Sequence, residues 1–386
     1  MAMPAMFPSA APRRARTGLA TPFVSSTPLA SRARSARHPM KSSRTRALRA
    51  ARVAGLRHVD DEGPGIRRDG APGAFQYRSV RGRPVRDPGT LRRIARLAIP
   101  PAYEKVWICP DPRGHLQATG RDARGRKQYR YHPDWRVTRD THKFDRMIEF
   151  GAALPTIRRR VRKDLALHGL SRDKVLALIV ALLDATRLRI GNNVYERDNR
   201  SYGLTTLRDR HADFSGGRLR LSFRGKGGTE HDLAIDDQRL ARIVRRCHDL
   251  PGQRLFQYLD EDGHRRPIHS GMVNDYLKQV TGRDFTAKDF RTWGATLRAI
   301  SLMACTPLPE PPTERAMNAC IVQAIRTVAD ELRNTPAVCR KSYINPAVFE
   351  GWREGRLQKS FTCHFRAGSR AVEKSALRFL QGAKRR

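Results

Sequence analysis

Residues 171–187 read SRDKVLALIVALLDATR, and this stretch contains the longest apolar run of the chain, Val175–Leu183. Apolar residues recur there at the spacing of one helix face, and most positions between them are apolar as well. The pattern predicts a buried helix over Asp173–Arg187, with Ser171 as its N-cap. The run is too short to cross a bilayer, so we expect it at the centre of a helical core.

A helix and a hairpin are predicted on either side of this segment. Ala152–His168 has the pattern of a basic amphipathic helix. Beyond the buried helix, residues 218–224 alternate charged or polar with apolar side chains, Gly225–Gly228 supply a turn, and Glu230–Ile235 form a return strand. The chain from Gln238 to Arg356 predicts helices almost throughout.

The region before these elements has a different pattern. Gly73–Val80 and Val106–Thr119 resemble short strands around a helix at Thr90–Leu97. The whole chain therefore predicts an α+β protein in at least two lobes. A small β-containing N-terminal domain would precede a larger, mostly α-helical domain that includes a short β-hairpin.

The charge of the chain indicates its partner. Lys and Arg number 76 against 37 Asp and Glu, which gives a formal net charge of +39. Such an excess attracts a polyanion, because neutralised phosphates release condensed counterions. Nucleic acid is therefore the expected partner. A membrane partner is the less favoured alternative, because the longest apolar run, Val175–Leu183, is too short to span a bilayer.

Residues 1–59 contain no Asp or Glu, and their arginines stand among Ala, Ser, Thr and Pro. This composition cannot bury enough apolar surface to offset its ordering entropy, so we predict a disordered tail. Binding of DNA is its favoured role. An organellar transit peptide has a similar composition and is the less favoured alternative.

Motifs for nucleotide or metal chemistry are missing from the sequence. Gly225-Lys226 lacks the leading glycine and the following Ser or Thr of a P-loop. No HExxH motif, paired Cys or His ligands or acidic metal cluster is found, and the six cysteines are scattered without a CxxC pair. We therefore expect reduced cysteines, no cofactor and no metal, with phosphate charge met by Arg and Lys alone.

Five chemistry-bearing side chains occur in a specific order in the helical region. They are Arg189 in LRIGNNVY, Lys226 in FRGKGG, Arg291 in AKDFRTWG, and Asn334 and Tyr343 in NTPAVCRKSY. Any one alone would pass for a surface charge or a core aromatic. Together, at this spacing, they resemble the poxvirus-like and bacterial branch of the type IB DNA topoisomerases, and the similarity runs from about Tyr103 to Trp352.

The resemblance implies a role for each of these residues. Tyr343 would be the nucleophile that forms a 3′-phosphotyrosyl bond, and Lys226 would protonate the leaving 5′-oxygen. Arg189 and Arg291 would bind the non-bridging oxygens, since guanidinium groups stay charged and donate paired hydrogen bonds. Supercoiled DNA would then be relaxed without ATP or metal.

One position departs from the family. Type IB topoisomerases usually have a histidine where this chain has Asn334. An Asn amide can donate the same hydrogen bond to a non-bridging oxygen as a neutral group, so we expect activity to be kept. A degenerate, inactive enzyme is the alternative interpretation.

The segment GRKQYRYHPDWRVTRDTHKFDR at 125–146 resembles the family's duplex-contacting loop. A strand here would place its two tyrosines on one face, where they could contact DNA or be ordinary strand aromatics. Contact is favoured because basic residues are interleaved with them. The DNA-contact candidates are Arg126, Gln128, Tyr129, Tyr131 and Lys288.

The resemblance also implies an organisation for the chain. It implies a monomer whose lobes form a clamp around duplex DNA, in the cytoplasm and associated with a bacterial nucleoid. The predicted divisions are a disordered basic tail over 1–59, an N-terminal DNA-contacting domain over 60–145, a catalytic domain over 146–356, and a basic C-terminal tail over 357–386.

Two rival functions share some of these features. A tyrosine recombinase or integrase-like strand transferase uses the same chemistry but normally has HxxR at the second arginine, where this chain has Lys288-Asp289-Phe290-Arg291. A non-catalytic architectural DNA-binding protein would fit the charge equally well. Charge alone, however, does not explain the order and spacing of the five residues.

Overall fold

An antiparallel sheet forms the N-terminal part of the chain. The computed structural model describes residues 48, 50–123, 125–361 and 370–384, and at 139–142 it describes the backbone alone. The elements of this part are β1 (Ile66–Asp69), β2 (Gln76–Arg78), α1 (Pro88–Arg96), β3 (Glu104–Ile108), β4 (Leu116–Arg121) and β5 (Lys127–Tyr131). The strands lie in the order β2–β1–β3–β4–β5, and each neighbouring pair is antiparallel.

A small core lies between this sheet and α1. The helix begins after Asp87, whose carboxylate accepts a hydrogen bond from the Thr90 backbone N–H at 2.7 Å. The predicted helix at Thr90–Leu97 is therefore confirmed, with its start two residues earlier. The buried residues of this core are Ile66, Ile94, Val106, Ile108 and Ala118.

One long helix, α2 (Pro133–Leu165), joins the sheet to the rest of the protein. It follows β5 directly and contains Pro155 in its interior. The predicted helix Ala152–His168 therefore overlaps only the second half of the real one, which ends three residues earlier, at Leu165. The predicted division at residue 145 falls inside α2, so no loop separates the two parts at that point.

The remaining helices surround α3 (Arg172–Thr186), which confirms the predicted buried helix. Its residues from Lys174 to Val180, together with Leu182 and Leu183, are buried, so it is the centre of the core. The other helices of this part are α4 (Asn193–Asn199), α5 (Gln238–His248), α6 (Ser270–Thr281), α7 (Ala287–Ala304), α8 (Glu314–Glu331), α9 (Pro336–Ser342), α10 (Ala347–Arg353) and α11 (Arg356–Ser360).

Two small sheets accompany these helices. The predicted hairpin is confirmed as β7 (Arg218–Arg224) and β8 (Glu230–Ile235), and a third strand, β6 (Ala212–Ser215), pairs with β7. A second hairpin, β9 (Gln257–Leu259) and β10 (Arg265–Pro267), interrupts the region predicted to be almost wholly helical. Its strands of three residues are too short for a period-two pattern to be seen.

Parts of both predicted tails, over residues 50–59 and 370–384, are folded. Ala51 and Leu56 are buried against Trp135, so the segment over 50–59 belongs to the folded protein, and the rest of the predicted tail lies outside the described residues. The C-terminal helix α12 (Arg370–Lys384) also packs on the core. Its Glu373 forms an ion pair with Arg158 of α2.

The fold class is mixed α+β, as predicted. Among the helices of the described residues, none has both the length and the apolar composition that crossing a membrane requires.

Candidate active site

Arg291 lies in the interior of the helical part, on the second turn of α7. Its side chain is 3 % exposed, and its guanidinium donates to the backbone carbonyls of Arg187 and, at 2.9 Å, Leu332. The guanidinium carbon lies 5.3 Å from the centroid of the Tyr343 ring. Because two carbonyls orient the group, Arg291 is held in place beside the tyrosine.

Arg189 reaches the same place from the segment after α3. That helix ends at Thr186, and the next residue, Arg187, has a left-handed φ of 55°. The Arg189 guanidinium donates to the side-chain oxygen of Asn334 and, at 3.4 Å, to the Arg333 carbonyl. Leu332, Arg333 and Asn334 thus form one short segment after α8 that accepts hydrogen bonds from both arginines.

Several donors at this site have no partner among the described residues. They are Nη1 of Arg189, Nε of Arg291 and Nδ2 of Asn334, and each is buried. An unpaired buried donor costs about 1–3 kcal/mol. Burial lowers the pKa of Arg189, and Arg291 lowers it further, yet a guanidinium remains protonated. Unpaired donors and two adjacent cations favour binding of an anion here.

Tyr343 follows α9, and its backbone is fixed from α7. The Tyr343 carbonyl accepts a hydrogen bond from the Thr296 hydroxyl at 3.1 Å, and the Asn345 N–H donates to the same hydroxyl at 3.2 Å. Thr296 is fully buried and lies on the same helix as Arg291. Thr296 is not among the residues predicted from the sequence, since a Thr five positions after an Arg carries no signal of its own.

We call Arg189, Arg291, Asn334 and Tyr343 the Arg–Tyr cluster. Lys226 stands apart from it. It is exposed at the hairpin tip, residues 225–228, with Nζ 5.8 Å from the centroid of the Tyr195 ring. Among the described residues it has no hydrogen bond or ion pair. The structure therefore brings four of the five predicted residues together and leaves Lys226 outside.

A buried histidine of the hairpin was also missed. His231 is 6 % exposed and lines, with Arg291 and Arg333, a cavity of about 360 Å³. Burial lowers the pKa of His231 to about 4, with further contributions from Arg189, Arg291 and Arg333. Period two along β8 could have placed it on the inward face with Ile235.

The candidates for DNA contact on and beside β5 point in different directions. Tyr129 and Tyr131 stack, with ring centroids 5.9 Å apart, but Tyr129 is exposed whereas Tyr131 also packs against apolar neighbours. Gln128 alternates to the other face, where it and Arg126 both bind the Asp122 carboxylate. The exposed side chains remain accessible to a ligand.

Lys288 is exposed on the first turn of α7, three residues before Arg291. Its neighbour Asp289 caps this helix by accepting from the Thr286 N–H at 2.7 Å. Arg146 of α2 forms an ion pair with the same carboxylate at 2.6 Å. The start of α7 is thus tied to α2.

One group of potential metal ligands occurs in the described residues. Ligand atoms of Asp260, Asp262 and His264 lie within 4.8 Å of one another in the β9–β10 turn. Asp260 already accepts hydrogen bonds from the His264 backbone and from Arg266, so its carboxylate is used to form the turn. Cys109, Cys247, Cys320 and Cys339 are free thiols, and Cys363 lies outside the described residues.

The Arg–Tyr cluster has the composition of a site that transfers a phosphodiester to a hydroxyl: a hydroxyl nucleophile beside fixed cationic donors. Comparison with known families agrees with this class. The family described as the catalytic core of eukaryotic DNA topoisomerase I matches residues 132–354. The family described as the N-terminal domain of bacterial DNA topoisomerase IB matches residues 74–122.

Individual relatives give the same result. The DNA topoisomerase 1B of Acanthamoeba polyphaga mimivirus is 34% identical over 259 residues, which cover 66% of this chain and 77% of the viral protein. The DNA topoisomerase 1B of Vaccinia virus (strain Copenhagen) is 23% identical over 257 residues, covering 64% and 75%. The chain belongs to the type IB DNA topoisomerases, and duplex DNA is the substrate that this family implies.

Proposed function

We propose that this topoisomerase cleaves one strand of duplex DNA with Tyr343, lets the duplex rotate, and reseals it without metal or ATP. The observation that carries the proposal is the set of unpaired buried donors of Arg189, Arg291 and Asn334 beside the tyrosine. A phosphodiester placed there would accept from all three. Charge that builds on its non-bridging oxygens would meet donors already in position.

The reaction conserves one phosphodiester bond. The Tyr343 hydroxyl releases its proton to solvent and its oxygen attacks phosphorus, the bond from phosphorus to the 5′-oxygen breaks, and the proton of Lys226 moves to that oxygen. The 3′-phosphotyrosyl bond keeps the energy of the cleaved linkage, so the 5′-hydroxyl reverses the reaction. Lys226 must approach from the hairpin tip, because it lies outside the Arg–Tyr cluster.

We also propose that the sheet and the helical part, residues 60–145 and 146–356, act as two DNA-binding lobes of a monomeric clamp. The continuous helix α2 supports this arrangement, because it connects the lobes without a loop. The exposed Tyr129 and Lys288 would contact the duplex together with neighbouring basic residues. Such a protein would act at the nucleoid in the cytoplasm of a bacterial cell.

Relaxation of a plasmid with no special site tests the proposed function. In EDTA and without ATP, the protein should relax both positive and negative supercoils. An absolute requirement for Mg²⁺ would overturn the proposed metal independence. Failure on such a plasmid, with activity only on DNA carrying a specific site, would favour a recombinase instead.

A further inference from the structure

The hairpin that carries Lys226 ends on an aromatic stack. The register of β7 and β8 pairs Phe223 with His231, directly before the tip. Their rings lie 4.8 Å apart at an angle of 10°, and both side chains are buried. The strands are therefore joined by a rigid inward-facing pair at the point where the tip begins.

Gly225 rests directly on the imidazole. A Cβ at this position would lie 2.6 Å from Cδ2 and 2.7 Å from Nε2 of His231, well inside van der Waals contact. The Gly225 N–H donates to the Thr229 carbonyl at 2.8 Å, which closes the tip. One peptide bond thus separates Lys226 from a glycine that His231 supports.

The imidazole can fill this place beside the arginines because it is neutral. Its pKa is lowered to about 4 by burial and by Arg189, Arg291 and Arg333, so at neutral pH it adds no positive charge to the Arg–Tyr cluster. It also lines the cavity that Arg291 and Arg333 line. His231 therefore lies between the base of the hairpin tip and the arginines.

We infer that His231 is the positioning residue of Lys226. The imidazole ring supports Gly225 and thereby holds the hairpin tip in the position from which the lysine reaches the leaving oxygen. The inference rests on the proposed role of Lys226 as the general acid. His231 itself need not touch DNA.

The test measures single-turnover cleavage of two substrates. One is ordinary DNA, and the other has sulfur in place of the bridging 5′-oxygen at the cleaved bond. A thiolate leaves without a proton, so a defect in proton delivery disappears on the sulfur substrate. Lys226→Ala should be about 100-fold slow on ordinary DNA and nearly normal on the sulfur substrate.

His231→Ala should show the same signature with a smaller size, about tenfold slow on ordinary DNA and nearly normal on sulfur. Gly225→Ala should behave alike, because its methyl group would strike the ring. The double variant Gly225→Ala/His231→Ala should be faster than Gly225→Ala alone, since the methyl then has space. His231→Phe should retain the platform and most of the rate.

His211 supplies a matched control, because its buried imidazole also lies near Phe223, with centroids 6.4 Å apart, but does not support Gly225. Any loss caused by His211→Ala should be equal on both substrates.

If Lys226→Ala is not rescued by sulfur, the proposed general acid is wrong. If Lys226→Ala is rescued but His231→Ala is equally slow on both substrates, or is not slow at all, the positioning role is overturned. Should His231→Ala fail to fold, Gly225→Ala and His231→Phe decide the question, and an unrescued Gly225→Ala rejects it.

Discussion

The Arg–Tyr cluster and the hairpin tip present positive charge in opposite ways. Arg291 is buried and held by two backbone carbonyls, whereas Lys226 is exposed on a glycine-rich turn whose Gly227 has a φ of 77°. Donors that stabilise transition-state charge are most effective when they are fixed beforehand. A proton donor must instead approach the leaving atom. This contrast supports the proposal that the cluster stabilises charge and that the tip delivers the proton.

Removal of the nucleophile should produce the largest effect. Tyr343→Phe keeps the ring beside Arg291 and removes only the attacking oxygen, so covalent attachment to DNA should be abolished while binding stays nearly intact. Trapping with denaturant measures the covalent complex, and a binding assay is the control. Wild-type protein should be trapped on the 3′ phosphate, and a 5′ linkage would contradict the proposed chemistry.

Arg291→Ala should lower the cleavage rate by about 100-fold or more, as expected for loss of one fixed donor to the transition state. Arg291→Lys is the matched control, which keeps the charge but loses the fork that binds two carbonyls, and it should also be slow. Sulfur at the leaving position should restore neither variant. Strong rescue would mean that the Arg–Tyr cluster shares proton delivery with the hairpin tip, which would contradict the proposed division of roles between them.

Substitution of Thr296 tests whether its hydrogen bonds to the backbone around Tyr343 help to fix the position of that residue. Thr296→Val removes the hydroxyl that joins the Tyr343 carbonyl and the Asn345 N–H, at almost constant volume. We expect about a tenfold slower cleavage on both substrates, since a lost buried hydrogen bond costs about 1–3 kcal/mol. Thr296→Ser keeps the hydroxyl and should stay near the wild-type rate. Equal rates for Val and Ser would show that this contact does not position Tyr343.

Asn334 occupies the place where the resemblance leads us to expect a histidine. Asn334→Ala removes the unpaired Nδ2 donor and the acceptor of Arg189, and should slow cleavage about tenfold by loss of one neutral hydrogen bond to phosphate. Asn334→His should keep a donor and recover much of the rate. A variant Asn334→Ala as fast as the wild type would remove this residue from the proposed site.

The sequence predicts best what depends on a long, regular pattern. The apolar run of α3 and the alternation of β7 and β8 each had enough residues to define a period. The first half of α2 and the hairpin β9–β10 did not, because mixed charges and strands of three residues leave no clear period. A pattern along one segment predicts the secondary structure of that segment but not the residues against which it packs.

The same limit applies to the site. The order of the motifs predicts the members of the Arg–Tyr cluster. Thr296 and His231 are instead recognised only from their contacts with distant parts of the chain; Thr296, for example, donates a hydrogen bond to the carbonyl of Tyr343, 47 residues further along. The composition of residues 1–59, which contain no Asp or Glu, predicts a disordered tail that extends to residue 59. Burial of Ala51 and Leu56 depends on Trp135, which lies 79 residues beyond Leu56, and composition cannot predict a contact between such distant residues.

Removal of the basic N-terminal residues should weaken DNA binding and leave the chemical step unchanged, which is the smallest expected effect. Residues 1–47 contain nine Arg and Lys residues. Their deletion should weaken non-specific DNA binding and reduce the slope of log K against log salt by about 0.9 for each phosphate no longer neutralised. Single-turnover cleavage at saturating protein should be unchanged. An unchanged slope would mean that this segment does not touch DNA, and would favour the targeting interpretation.

A second truncation, of residues 1–59, separates charge from packing. It also removes Ala51 and Leu56 from Trp135, at the start of α2, so it should lower the melting temperature, whereas deletion of 1–47 should not. Loss of these two buried side chains would cost about 2–4 kcal/mol at full burial. Trp135→Ala in the full-length protein should reproduce the thermal loss but not the change in salt slope. If both truncations shifted the melting temperature equally, residues 50–59 would add nothing to the fold, and the tail would indeed extend to residue 59.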